Sequence, residues 1–125
     1  MSSRVGRAGE YLAACSLEIL GVQVSIVHAA NFDLVAWHGD DVWRIEVKTS
    51  ADYDLQRPST FHFMTRSGRD RRPLSNCDVV AFVALNLRLV LFRHVSLVTG
   101  TSTRISGNQF SAQRELDTWL TATRR

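Results

Sequence analysis

The sequence predicts an α/β or α+β domain, because one amphipathic helical segment is followed by several strand-like segments and then by a second helical segment. No repeat or evident linker interrupts this order, so we expect one domain covering residues 1–125. The composition is that of a globular protein, with 45% hydrophobic and 22% charged residues. A net charge of +3 is compatible with a polyanionic partner but does not by itself indicate one.

The first helix is predicted over residues 3–20. One stripe of this segment is formed by Val5, Gly9, Leu12, Ser16 and Ile19. Gly21 stands where a C-cap glycine belongs. Glu10 lies on the border of the apolar face, where a lone glutamate is more often an edge residue than a functional one.

Three strands are predicted after this helix, at "VQVSIVH", "NFDLVAW" and "VWRIEVK". The last two flank "HGDD", and Gly39-Asp40 predicts a two-residue hairpin loop with a type II′ turn.

The second half begins with a polar stretch, residues 51–76, that holds both prolines and an arginine cluster. Within it, Phe61 and Phe63 are expected to pack in a core or at an interface rather than to stack on bases. Two largely buried strands, "CDVVAFVAL" and "RLVLFRHV", follow with a turn near Asn86, and a C-terminal helix begins after a Ser111 cap.

Several features indicate a soluble, cytoplasmic protein, or one in the host cytoplasm if the gene is viral. The longest apolar run is broken by Asn86 and Arg88, so we expect no membrane span, and no signal-peptide pattern is present. Cys15 and Cys77 lack metal-ligand spacing, and both are expected to be small buried hydrophobes.

The predicted hairpin brings two acids together. With a loop at Gly39-Asp40, the numbers of paired residues sum to 79, so Asp33 would lie opposite Glu46. Because successive side chains of a strand point to opposite faces, one face of this strand carries Arg44, Glu46 and Lys48. Two carboxylates about 5 Å apart repel by roughly 3 kcal/mol at an effective dielectric of 20. Proton sharing, a cationic neighbour or a divalent metal could each relieve this repulsion.

These spacings leave two interpretations open. A surface lattice of charges would explain the alternation of Arg44, Glu46 and Lys48 as well as a metal site would. Lys48 is the sole lysine of the chain, in a sequence that otherwise uses arginine for positive charge.

The order of Asp33, a spacer of twelve residues and then Glu46-Val47-Lys48 resembles the signature of the PD-(D/E)XK nuclease superfamily. Within it, "GRAGEYLAACSLEILG" and "EVKTS" are similar to segments of the archaeal-type Holliday junction resolvases, and to small nuclease-like domains of group I introns and phages. The resemblance covers residues 6–50 best. Phe32 stands where the superfamily name has proline, and the segment after Ser50 matches the resolvases poorly.

The resemblance implies a restriction-endonuclease-like core, with a central mixed β-sheet of about five strands flanked by helices. It also implies a Mg²⁺-dependent endonuclease, with Mn²⁺ able to substitute. Asp33, Glu46 and the Val47 carbonyl would bind the metal, and Glu10 would bind a water of the metal or a second metal. Lys48 would orient or deprotonate the attacking water.

DNA is the expected partner. An arginine-rich segment, together with two arginines one turn before Glu10, is expected to contact phosphates; these residues are Arg4, Arg7, Arg66, Arg69, Arg71 and Arg72. The resemblance to the resolvases implies a four-way junction as the favoured substrate, in recombination or repair, and a C2 homodimer that cuts its two symmetric strands. Two alternatives remain: a homing or restriction-like enzyme that cuts duplex DNA, and a non-catalytic DNA-binding member of the fold. The preference for arginine indicates a GC-rich genome, and we expect it to be that of a phage.

Overall fold

The computed structural model describes residues 4–27, 32–65 and 76–124, which form two α-helices, two short 3₁₀ helices and seven strands. The α-helices are α1 (Arg4–Ile19) and α2 (Ala112–Ala122). The strands are β1 (Gln23–Ile26), β2 (Leu34–His38), β3 (Asp41–Ser50), β4 (Thr60–Met64), β5 (Val79–Ala84), β6 (Leu89–His94) and β7 (Ser102–Ser106). None of the helices in these ranges has the length and apolarity that a membrane crossing requires.

Five strands form a mixed sheet in the order β1-β2-β3-β5-β6. β3 and β5 are parallel, and the other neighbours are antiparallel. This confirms the predicted α/β architecture with a central mixed sheet of five strands. β4 and β7 form a separate antiparallel pair that the sequence did not predict, although Phe61 and Phe63 of β4 are fully buried as expected.

The large sheet has a hydrophobic core on each face. Side chains of α1 and α2 pack on one face, where Trp119 meets Trp43 and Phe92 with ring centroids 5.2 Å apart in both pairs. The β4–β7 pair covers the other face, and there Phe63 lies 5.0 Å from Phe82. The chain therefore forms three layers: helices, the five-stranded sheet and the small sheet.

The predicted hairpin is confirmed. His38 pairs with Asp41 and each further pair sums to 79, down to Leu34 with Ile45. Gly39 has φ +60°, the sign that the first central position of a type II′ turn requires.

The end of α1 is set by Gly21, as predicted. Gly21 has φ +88°, and the Val22 N–H donates to the Leu17 carbonyl at 2.9 Å, while the Gly21 N–H donates to Glu18 at 3.0 Å. These two bonds make a Schellman motif, which satisfies carbonyls at the helix end. The chain is thereby turned from the helix into β1.

The free edge of β6 is covered by α2. Val90 and Phe92 of β6 donate their N–H groups to the side chains of Glu115 and Thr118, at 3.3 and 3.1 Å. Glu115 also accepts a bond from Ser16 of α1 at 3.0 Å. α2 begins after Ser111, whose hydroxyl accepts from the Arg114 N–H, so the predicted cap is confirmed. Because side chains occupy these edge groups, β6 is protected from pairing with another strand at these positions.

One of the two cysteines departs from expectation. Cys77 is buried, but Cys15 lies on the outer side of α1 and is exposed, so its predicted burial was wrong. Cys15 does not lie on the apolar stripe of α1, so its side chain faces solvent.

α1 approaches β3 closely at Gly9. A Cβ atom added there would overlap the Thr49 hydroxyl oxygen and lie 2.9 Å from the Thr49 Cβ. That oxygen is buried and has no hydrogen-bond partner among the described residues. The absence of a side chain at Gly9 thus fixes the distance between helix and sheet, and with it the location of the next residue, Glu10.

Gly9→Ala should lower the free energy of unfolding by about 1–2 kcal/mol, since overpacking outweighs the gain of about 1 kcal/mol in helix propensity. Thr49→Ala alone should be close to neutral, and Gly9→Ala with Thr49→Ala should recover part of the loss. Urea unfolding of the three variants measures this. A Gly9→Ala variant as stable as the parent would contradict the close approach.

Candidate active site

Glu46 and Lys48 lie on the face of β3 opposite the helices, as the alternation predicted. Their side chains are only 17% and 14% exposed, and the Lys48 ammonium lies 3.5 Å from Oε1 of Glu46. This degree of burial is unusual for a strand residue in a solvated charge lattice. The burial of this pair therefore favours a partly enclosed site over a lattice of charges on the protein surface.

Asp33 lies one residue before β2, at the end of the β2–β3 ladder. The ladder stops at Leu34 with Ile45, so Asp33 is not paired with Glu46 as a strand residue. Instead, its N–H donates to the Ile45 carbonyl at 2.8 Å, and its carboxylate accepts the Val47 N–H at 2.8 Å. The predicted proximity of the two acids is nevertheless present, because the charge of Asp33 acts on Glu46.

The Glu46 carboxyl has a pKa raised from 4.5 to about 7. Burial is the largest cause, and the negative charges of Asp33 and Glu10 add to it. The charge of Lys48 and its hydrogen bond act in the opposite direction but only partly offset the increase. Near neutral pH, Glu46 is therefore divided between its protonated and ionised forms.

Glu10 projects from α1 beside this site and is buried, with 9% of its surface exposed. Its charge contributes less to the Glu46 pKa than that of Asp33 does. Its helical position alone predicted a residue at the edge of the apolar face, whereas the structure shows Glu10 buried directly after the close contact of Gly9 with β3. α1 thus contributes a third carboxylate to the neighbourhood of Glu46.

These oxygen donors fit Mg²⁺ held by few protein ligands. No three side chains of the His, Cys, Asp and Glu type converge on one metal-sized point within the described ranges. Asp33 and Glu46 would then supply two carboxylates, a number typical for magnesium, which retains several waters. In an extended strand the N–H and C=O of one residue point to the same side, so the Val47 carbonyl faces the edge at which Asp33 accepts its N–H.

Cys77 is a neighbour of this site that the sequence did not indicate. It is buried, and burial together with the charge of Glu46 raises the pKa of its thiol to about 11. The thiol is therefore neutral at physiological pH, when it is a poor metal ligand and a poor nucleophile. No local spacing links Cys77 to Glu46, because the parallel pairing of β3 and β5 brings them together.

The predicted DNA-binding arginines fall into two groups. Arg4 and Arg7 are exposed on α1 and line a shallow depression of about 480 Å³ with Ala8 and Tyr11. The four arginines of the loop, Arg66, Arg69, Arg71 and Arg72, lie outside the described residues. A role in DNA contact stays a prediction for all six.

Comparison by sequence gives no relatives, since the chain matches no protein-family model and no curated protein. The solved structures that this fold matches include two nucleases. One is a bacterial homing endonuclease, I-Ssp6803I, with a TM-score of 0.67 and 17% identity; the match covers 85% of this chain and 77% of that one. The other is Hjc, a Holliday junction resolvase of the archaeal hyperthermophile Archaeoglobus fulgidus, with a TM-score of 0.52, 19% identity, and coverage of 85% and 86%. The chain therefore has the restriction-endonuclease-like α/β fold that these two nucleases share.

Proposed function

We propose that this protein is a divalent-metal-dependent endonuclease that hydrolyses phosphodiester bonds in DNA. The observation that carries the proposal is the largely buried Glu46, which lies beside Asp33 and Glu10 and has its carboxylate 3.5 Å from the Lys48 ammonium. A binding module has no use for carboxylates that repel both one another and phosphate. The likeness of fold to two nucleases supports the same conclusion.

Asp33 and Glu46, with the Val47 carbonyl, are proposed to bind Mg²⁺, and Mn²⁺ is expected to substitute. When bound, the ion would lower the pKa of a water and offset charge on the phosphate. Glu46 would bind the ion in its ionised form, so the fraction of Glu46 that carries a proton would lose it on metal binding.

Lys48 is proposed to act on the phosphate and the attacking water. In the metal-free protein its ammonium is held by Glu46 at 3.5 Å. Once Glu46 binds a cation, the ammonium can turn to a phosphate oxygen or to the water. Glu10, buried on α1, is proposed to orient water at the same site, a less direct role that agrees with its weaker effect on the pKa of Glu46 compared with Asp33.

The substrate is proposed to be a four-way DNA junction, cut by a homodimer in recombination or repair. The resemblance of "EVKTS" and of the Glu10 helix to archaeal-type resolvases supports this choice, as does the match to 86% of the Hjc chain. A second candidate, a homing-type enzyme for duplex DNA, is favoured by the higher TM-score to I-Ssp6803I. The poor resemblance after Ser50 bears on this choice of substrate more than on the chemistry.

Glu10→Ala, Asp33→Ala, Glu46→Ala and Lys48→Ala should each lower the Mg²⁺-dependent cleavage rate by about 100-fold or more, since each removes a charged group at the reacting phosphate. Lys48→Arg should not restore activity, because a planar guanidinium does not replace a compact ammonium. Initial rates on labelled DNA measure this. Glu18→Ala, an exposed acid on the same helix as Glu10, is the matched control. Retention of the parental rate by any of the four variants would remove that residue from the assignment.

Mg²⁺ binding should release a large fraction of a proton at pH 6.5 and much less at pH 8.5, because Glu46 with a pKa of about 7 is mostly protonated at the lower pH and mostly ionised at the higher. Calorimetric titration in two buffers of different ionisation enthalpy measures the release. Glu46→Gln should abolish it. Heats at pH 6.5 that do not depend on the buffer would contradict Glu46 as a ligand.

A four-way junction should be cut at least about tenfold faster than duplexes of the same arm sequences, at equal metal and salt, if binding favours the junction by 1.4 kcal/mol or more. Equilibrium sedimentation under the same conditions should give the mass of a dimer.

Faster cutting of the duplex would select the homing-type candidate instead. DNA binding without Mg²⁺ binding or cleavage would indicate the non-catalytic alternative.

A further inference from the structure

Arg93 lies on the same face of the sheet as Glu46. Glu46 pairs with Val80 of β5, and Val80 pairs with Arg93 of β6. Directly paired residues share a face, and neighbouring strands are about 4.8 Å apart, so the Cα atoms of Glu46 and Arg93 are separated by roughly 10 Å. The register thus brings a further cation to the face of the candidate active site that already holds Lys48.

The charge of Arg93 is not neutralised within the described residues. None of the ion pairs among the described residues includes its guanidinium, which is half-buried over the Phe82 ring, 5.5 Å from the centroid. By contrast, Arg44 and Arg104 are each paired with an aspartate at 3.3 Å. Burial, and next the charge of Arg114, lower the pKa of Arg93.

Arg93 and Arg114 line one cavity of about 230 Å³ between β6 and α2. Arg114 is held there by Gln109, to whose carbonyl and side-chain oxygens it donates at 3.2 and 2.9 Å. Thr118 adds a hydroxyl to the lining. Asp117 also lines the cavity, and its carboxylate accepts a bond from Gln113 at 3.0 Å. We call this cavity the β6–α2 cleft.

Two arginines that repel each other in a partly desolvated cleft make the fold less stable than it would be without them. An anion between them would reverse that effect, and the planar guanidinium is suited to the two oxygens of a phosphate. The competing explanation is that Arg93 only covers Phe82 with its aliphatic stem and its charge.

We infer that the β6–α2 cleft binds a backbone phosphate of the DNA substrate, through Arg93 and Arg114, at a nucleotide near the one that is cut. The cleft as an anion site follows from the geometry above, whereas DNA as the source of the phosphate rests on the proposed nuclease function. Arg93 would in this way align the strand relative to Glu46 and Lys48.

Arg93→Met, Arg114→Gln and the charge-matched control Arg104→Met test the inference without metal. The melting temperature of the parent should rise with sodium phosphate more than with sodium chloride at equal ionic strength. Arg93→Met should melt higher than the parent in chloride, because an uncompensated charge is gone, and should lose the part of the rise that exceeds the non-specific stabilisation of proteins by phosphate. Arg104→Met should keep that rise. Arg114→Gln, at an exposed position, should weaken it and provides a second variant should Arg93→Met fold poorly.

DNA binding by the same proteins, followed by fluorescence anisotropy in EDTA, identifies the source of the phosphate. Arg93→Met should reduce the slope of log affinity against log salt by about 0.9, the value for one lost phosphate contact. Free phosphate should compete with DNA in the parent more than in this variant.

Two results would overturn the inference. A lower melting temperature for Arg93→Met with an unchanged salt slope would make Arg93 a packing residue over Phe82. A lost phosphate response with unchanged DNA binding would assign the cleft to free phosphate rather than DNA. Neither readout involves cleavage, so a parent protein that fails to cut DNA would refute the nuclease function without affecting the phosphate result.

Discussion

The hydrogen bond from the Val47 N–H to the Asp33 carboxylate lies where the β2–β3 ladder ends, and the arrangement of the charged groups depends on it. β3 has ten residues and β2 only five, while β5 continues to pair with β3 as far as Ser50. Beyond Ile45, the edge of β3 that faces β2 therefore has no partner strand among the described residues, while its other edge stays paired with β5. A backbone N–H at such an edge needs an acceptor, and the Asp33 side chain supplies it. The same carboxylate thus completes the sheet and stands beside Glu46.

This arrangement is costly for the fold. The folded-state pKa of Glu46, about 7, exceeds its ordinary value of 4.5, so the protonated form is favoured by folding. The stability that this contributes is fully present below pH 4.5 and is lost as the pH rises through 7, up to about 3 kcal/mol. Lys48 offsets only part of the loss. A cluster of carboxylates kept at such a cost is typical of a site under functional constraint, and a bound cation would remove the penalty.

Local patterns were sufficient for the hairpin and the helix ends, because each depends on few neighbouring residues. A two-residue loop at Gly39 determines every later pair of β2 and β3, and the prediction fails only at Asp33, where the side chain replaces the backbone as acceptor. The β4–β7 pair was missed because residues far apart in sequence form it, and alternation does not identify a partner strand. Cys77 and Arg93 were missed as neighbours of the site for the same reason. Their proximity to Glu46 results from the pairing of β5 with β3 and with β6, and residue spacing within one strand does not predict such pairing.

Lys48 and Arg93, which both lie on the Glu46 face, have different surroundings, which explains why one is a lysine and the other an arginine. Lys48 forms an ion pair with the largely buried Glu46 carboxylate, where a compact ammonium can approach one oxygen and then turn to another. Arg93 lies flat over an aromatic ring, an arrangement that favours a planar guanidinium and suits it to an anion with two oxygens. Phe82 links the two, since it supports Arg93 and pairs with Lys48 in the sheet. A chain that uses arginine wherever charge alone is needed therefore retains its single lysine beside Glu46, where size and proton chemistry matter.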